Sequence, residues 1–400
     1  MKFKVLLILG ITISTSVFSQ KTELKPYTKF LQENYFPSAK DYILEKFEKK
    51  DIVIISERDH RDITQYELYL EVLKDKNFKG NVYTEVGCWN NYQRINSFLL
   101  NSDLTEKEKE EELLAIYRDL DYTILWEKYN YYFLLSEIYE INKNRENEDK
   151  ILLFPLDLEF NWNELENYSQ YKLFESFEIK NIIHRDYIMG RNFVSFFEFA
   201  KKRNPARQKA LVIANTYHAY IRIPNYKPLP SRPEIYSTGE YIYKTYPETT
   251  TNIYINYFTQ GFNKGLTNKG LFDAAFYFTK TDDIGFNLKN TPFGNSKFDL
   301  YSFGSTESEY EKVNFDFIFD GMIFYKPVAK MKFVGGIPNV YPKEFESQFY
   351  DRITLTEGIT YKEAVEQNSE YLDKINKVTE YKLEDIIIQK INKQILYWIK

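Results

Sequence analysis

Apolar residues fall along this chain in two kinds of run, short continuous ones and longer ones at helical spacing. The first short run, Asp51 to Ile55, reads Ile-Val-Ile-Ile without alternation, as expected of a strand buried on both faces. It ends at Ser-Glu-Arg-Asp-His, residues 56–60. Ile63, Tyr66, Leu70 and Leu73 then recur every three or four positions, with Glu67, Glu71 and Lys74 opposite, which predicts an amphipathic helix. Lys79-Gly80 closes that helix, and a second strand, Asn81 to Val86, carries Glu85 near its end. Such a strand, helix, strand unit within one sheet is almost always parallel and right-handed.

The pattern from Asn96 to Asn144 is helical, with the charged stretch Thr105 to Glu112 read as a solvated helix start. Lys150 to Leu156 is another apolar strand and ends at Asp157. A helix follows in which Arg185, Met189, Asn192 and Phe196 share one face. After a break at Arg203 to Arg207 comes the strand Ala210 to Ala214, followed by Asn-Thr-Tyr-His, residues 215–218. Pro224 to Pro233 reads as a loop, and weaker strands are expected at Asn252 to Phe258, Ala274 to Phe278 and Phe315 to Tyr325. Beyond Val340 the chain is more polar and again helical, ending in Ile386 to Trp398. These elements predict an α/β fold, a central largely parallel sheet flanked by helices, over residues 20–340. A helical extension packed on it is expected over 341–400.

Composition narrows the function classes. The 400 residues carry a net charge of −5, from 53 basic and 58 acidic side chains, and no long Lys/Arg block, so nothing supports a nucleic-acid partner. Aromatics make up 18%, mostly 35 Tyr and 32 Phe, which could line ring- or sugar-binding surfaces but is better read as a genome-wide codon bias. Lys2 and Lys4 before the apolar run Val5 to Ile13, then Val17-Phe18-Ser19, have the layout of a secretory signal peptide cleaved after Ser19. The run is too short to span a bilayer, which takes roughly 20 apolar residues. The expected address is therefore the periplasm or the outside of the cell. The single cysteine, Cys88, allows no internal disulfide and reads as a small buried hydrophobe.

Glu57 and His60, Glu85, Asp157 and His218 all stand at or just past the ends of expected strands, where open α/β sheets gather ligands. Each alone is equally at home as a cap or turn residue; two of only three histidines falling there is the stronger signal. The third, His184, precedes Arg185 at a helix start, and Arg185 supplies a guanidinium suited to a carboxylate or a developing oxyanion. No Gly-x-Ser-x-Gly elbow, phosphate loop, Gly-x-Gly-x-x-Gly or His-Glu-x-x-His is present, which argues against serine hydrolases, nucleotide enzymes and the commonest zinc proteases. Carboxylates, imidazoles and one arginine suit water activation by a His held by a carboxylate, or a metal held by His and carboxylate oxygens.

Glu57-Arg58-Asp59-His60 after a buried strand, then a helix and a strand ending with Glu85, resembles the opening of the erythromycin esterase family, Gly-Glu-x-x-His-Gly, helix, strand, Glu. Trp126 to Asp157, with its strand ending in Leu156-Asp157, is similar to the family's next strand. Arg185-Asp186-Tyr187-Ile188-Met189-Gly190-Arg191-Asn192 resembles its Arg-Asp-x-x-Met-x-x-Asn helix. Asn215-Thr216-Tyr217-His218 resembles its Asn-x-His element with one residue inserted, and Phe315 to Ile318 with Lys326-Pro327 has the character of its last strand. The resemblance spans roughly residues 45–330. It implies a fold related to the haem-binding ChaN and the Tiki proteases, and metal-independent hydrolysis of an ester or lactone. His60 would be the general base, Glu57 and Glu85 would orient it or the water, and Arg185 and His218 would bind substrate or stabilise the oxyanion. Arg58, Arg61, Asp157, Asn192 and Tyr217 are the expected substrate contacts. The family's glycines around this motif are replaced by Ser56 and Arg61, and its Thr-Arg-Glu by Ile63-Thr64-Gln65-Tyr66-Glu67.

The leading expectation is thus a secreted or periplasmic hydrolase of a small-molecule ester, lactone or amide, with no cofactor. The alternatives are a non-enzymatic haem, iron or small-ligand binder on a ChaN-like scaffold, and a Tiki-like protease dependent on a divalent metal.

Overall fold

The computed structural model describes residues 21–124, 129–222, 237–259, 265–298 and 313–400. The expected signal peptide, Trp126 and the Pro-rich loop lie outside the described residues. Seven strands form one sheet: β1 Ile52–Glu57, β2 Gly80–Cys88, β3 Leu153–Asp157, β4 Lys209–Asn215, β5 Thr250–Ile255, β6 Asp283–Asn287 and β7 Gly321–Tyr325. Their order across the sheet is β3-β2-β4-β1-β5-β7-β6. Every pairing is parallel except that of β6, which runs antiparallel along β7. The fold is α/β, with helices on both faces of the sheet, as the alternation of apolar runs predicts.

The continuous apolar runs are what a sheet covered on both sides requires. In β1, Val53 and Ile55 join the core under helices Ala39–Lys49, Ile63–Lys74 and Tyr129–Lys143, while Ile52 and Ile54 join Met189, Phe193 and Phe197 of helix Ile182–Arg203 on the other face. β1 and β2 are not neighbours: β4 lies between them and pairs with both. That insertion sets the strand ends carrying His60, His218 and Glu85 side by side.

Two expected strands need correcting. Ala274 to Phe278 lies in a helix, Leu271–Thr279, entered through Gly270 at φ +86°. Phe272, Ala275 and Phe276 bury one face while Tyr277 stands 63% exposed, a helical spacing that a short apolar run does not distinguish from a strand by itself. Of Phe315 to Tyr325 only β7 is a strand, and Phe315–Ile318 is a helical turn. Unforeseen are helices Lys25–Glu33 and Ala39–Lys49 and the edge strand β6. Tyr42 of the second helix packs against Gly285 of β6 and Gly321 of β7, where any Cβ would clash with its ring or hydroxyl.

Beyond residue 340 the chain forms helices Glu346–Glu357, Tyr361–Ile375 and Asp385–Ile399, and a strand, β9 Thr379–Tyr381, antiparallel to β8 Phe333–Gly335. Arg352, 4% exposed, ties this region to the rest through Asp119 (2.6 Å) and the face of Trp162. Trp398 Nε1 donates to Lys269 O at 3.0 Å. Among the described residues no helix is long and apolar enough to cross a membrane.

Candidate active site

β1 delivers Glu57 as its last residue, fully buried. The chain then turns, Asp62 caps helix Ile63–Lys74, and His60 falls in the turn between, its ring 18% exposed. His60 Nδ1 lies 2.8 Å from Glu57 Oε2. The carboxylate is clamped by two more donors, Tyr66 OH to Oε1 at 2.6 Å and Tyr131 OH to Oε2 at 3.1 Å. Burial, with the Glu57 charge alongside, pushes both phenols well above their ordinary range, so they remain donors.

Glu85 is aimed by a bulge. Thr84 pairs with Pro155 and Cys88 with Asp157, so β2 runs four residues against two on β3, and Gly87 takes φ +101° where a Cβ would strike Leu120 and Pro155. The regular β2–β4 ladder stops at Thr84 and Ile213. Just beyond it, Glu85 Oε2 accepts the Asn215 backbone N–H at 2.6 Å. Oε1 faces two cations, His218 Nε2 at 3.3 Å and Arg185 Nη2 at 3.5 Å. Burial alone would raise the Glu85 carboxyl, but His218, then Arg185 and His60, outweigh it and hold it well below the usual carboxylate range.

His218, 7% exposed, is held from both sides, because its Nδ1 meets Asp186 Oδ1 at 2.8 Å. Asp186, fully buried, also accepts from Thr238 N and Oγ1, both at 2.7 Å. Burial works against the imidazolium, yet Asp186 and Glu85 together raise it to about 10. The ring is thus a fixed cation at neutral pH. Arg185 is pinned by Asp157, Nε to Oδ1 at 2.7 Å and Nη2 to Oδ2 at 2.8 Å, and Tyr122 OH backs that carboxylate at 3.1 Å. Its Nη1 makes no hydrogen bond to the described residues.

The structure therefore brings together Glu57, His60, Glu85, Asp157, Arg185 and His218 at the carboxyl ends of β1 to β4. Tyr217 lies at this rim with its ring edge-on to His218. Four expected substrate contacts are used otherwise, Asp157 being spent on Arg185 and Tyr122. Arg58, 2% exposed, turns inward to Asp62 (2.7 Å) and the Tyr325 carbonyl (3.2 Å). Asn192 is spent on the Leu156 carbonyl at 2.9 Å, and Arg61 pairs with Asp59 through two bonds of 2.8 and 2.9 Å. His184 pairs with Glu178 on the surface, and Cys88 is buried. Tyr66, Tyr131, Asp186 and Asn215 were given no role by the sequence. Asp186 stood in the quoted helix motif and Tyr66 on a helix face read as core; Tyr131, 74 residues from Glu57, carried no signal.

Glu57, His60 and Glu85 each offer a ligand atom within 4.8 Å of the others, spacing that admits a cation. Their chemistry does not fit a divalent metal. A divalent ion there would sit beside the charges of Arg185 and His218, which face the same Glu85 oxygen.

No family model matches the chain, and neither does any curated protein. Among solved structures it is similar to a succinoglycan biosynthesis protein at 12% identity and TM-score 0.46, covering 77% of this chain and 97% of that one. A mutant of the erythromycin esterase EreC in its open conformation gives 12% and 0.41, covering 76% and 96%. ChaN of Campylobacter jejuni with cofacial haem gives 12% and 0.30, covering 56% and 88%. Likeness at this level carries no argument about chemistry, which rests on the residues themselves.

Proposed function

We propose that the protein is a hydrolase of an ester, lactone or amide in which His60 is the general base. The observation that carries this reading is the 2.8 Å bond from His60 Nδ1 to a buried carboxylate that two tyrosine hydroxyls hold in place. With the Nδ1 proton directed at Glu57, the neutral ring presents Nε2 as the proton acceptor. Water deprotonated there attacks the substrate carbonyl, and the imidazolium that forms is stabilised by Glu57 without proton transfer to it. Arg185, fixed by Asp157, turns Nη1 to the oxyanion of the tetrahedral intermediate. His60 then returns its proton to the leaving oxygen or nitrogen. Glu85, pinned by His218, Arg185 and the Asn215 amide, orients the water. His218 touches no substrate in this scheme, since a carboxylate takes each of its nitrogens. No metal or haem takes part.

The test is hydrolysis of a panel of esters and lactones, macrolides included, by wild type and His60→Ala, with and without chelator. Activity that survives chelator and vanishes with His60 is the expected result. A folded wild type inactive on the whole panel, or activity abolished by chelator, contradicts the proposal.

A further inference from the structure

At the opposite end of the parallel strands from His60, a cleft of about 790 Å³ opens where β5 begins, β6 ends and the chain enters β7. Among the described residues Lys46, Lys50, Arg222, Lys289 and Lys297 line it, against two carboxylates, Asp316 and Asp320. On a chain of net charge −5 this is a local reversal of sign. It contains none of the residues assigned to hydrolysis.

The cations here are unevenly matched. Arg222 pairs with Asp320, which Thr251 Oγ1 also reaches at 3.0 Å, while the Arg222 Nε is buried and finds no hydrogen-bond partner among the described residues. The Lys46 amine donates to Asn287 Oδ1 at 2.5 Å and stands 4.9 Å from the centre of the Tyr42 ring, with no ion pair among the described residues. Burial, with Lys49 and Lys50 nearby, pulls that amine below its ordinary value although Asp320 opposes the shift. Lys50 donates to the Glu248 carbonyl at 2.7 Å. Lys289 and Lys297 form no ion pair with the described residues and are exposed at the mouth. Lys289 and Lys297 thus keep uncompensated charge among the described residues and the Arg222 Nε–H keeps an unused donor, and a bound anion with several oxygens answers both. The ring of Phe317, 42% exposed, adds an apolar wall.

We infer that this cleft binds a small polyvalent oxyanion, a molecule carrying two or more phosphate, sulfate or carboxylate groups. Its volume is that of a small-molecule site, which usually spans roughly 300–1,000 Å³. The site is independent of the hydrolase reading and stands or falls separately.

The experiment is calorimetric titration of the full chain with inorganic tripolyphosphate, a sulfated disaccharide and citrate in turn, each arm identifying one oxyanion chemistry. At least one is expected to bind saturably at one site, to weaken as sodium chloride rises and to raise Tm. Lys289→Gln with Lys297→Gln is expected to weaken binding by at least about tenfold with Tm of the free protein unchanged. A control carrying Lys29→Gln and Lys362→Gln, two exposed lysines elsewhere, is expected to bind like wild type. Absence of saturable binding for all three probes up to about 10 mM overturns the inference. Equal loss in the control pair, which marks mere bulk charge, also overturns it.

Discussion

Glu57 and Asn215 are paired in the ladder between β1 and β4, so His60 and His218, each three residues on, leave adjacent strands at the same level. Their surroundings differ. His60 has a carboxylate on Nδ1 and a ring that reaches solvent. His218 has a carboxylate at each nitrogen and is buried. The contrast begins with the strand's last residue, since Glu57 supplies a carboxylate to its own histidine whereas Asn215 leaves His218 to find Asp186 and Glu85 on other elements. An imidazole whose ring reaches solvent can exchange a proton with it. A buried ring between two carboxylates becomes a structural cation.

The largest effect is expected from breaking the buried side of this comparison. Asp186→Ala strips His218 of one partner and is expected to cost about 3–5 kcal/mol of stability in urea unfolding. A loss under about 1 kcal/mol would show that Asp186 does not hold a charged ring. The pH dependence has a definite sign. His218 is raised in the folded protein, so its contribution is whole below its ordinary value of 6.5 and is lost as pH rises through about 10. Glu85 is lowered, so its contribution is whole above 4.5 and is lost as pH falls below that. Stability measured across pH should therefore fall on the alkaline side in wild type, and that slope should flatten in His218→Gln. An unchanged slope would place the alkaline loss elsewhere.

Next in size is the other histidine. His60→Ala is expected to lower kcat/KM by at least about a hundredfold on whichever ester the panel identifies, with Tm nearly unchanged. A drop in Tm matching the loss of rate would make His60 a packing residue and erase the contrast. Smallest is Tyr131→Phe, which removes one of three donors to Glu57 and should cost about 1 kcal/mol, read as a severalfold loss in kcat. Full activity in that variant would mean that Tyr66 alone fixes the carboxylate.

The sheet was legible because its inner strands are covered on both faces and so read as unbroken apolar runs, as in Ile52 to Ile55 and Ala210 to Ala214. β6 escaped because its Asp-Ile-Gly-Phe-Asn is an edge strand with exposed polar ends and a glycine kept small for Tyr42. Residues 274–278 misled because aromatic residues favour strands while Phe272 to Phe276 bury at helical spacing. In the candidate site, proximity to strand ends located Glu57, His60, Glu85, Asp157 and His218. The direction of each side chain was not in that signal. Arg58 lies beside Glu57 yet turns into the interior, because Asp62, four residues on, gives its charge a buried partner. The second partner of His218 was equally hidden, since Asp186 reaches it only once helix Ile182–Arg203 packs across the sheet.

The most direct test needs no substrate. The chain has three histidines, and nitrogen NMR of their rings near pH 8 reports which nitrogens carry protons. The account predicts that both nitrogens of His218 are protonated there, and that the neutral form of His60 carries its proton on Nδ1. A neutral His218, or a His60 proton on Nε2, would contradict the assignment of the two histidines to opposite tasks.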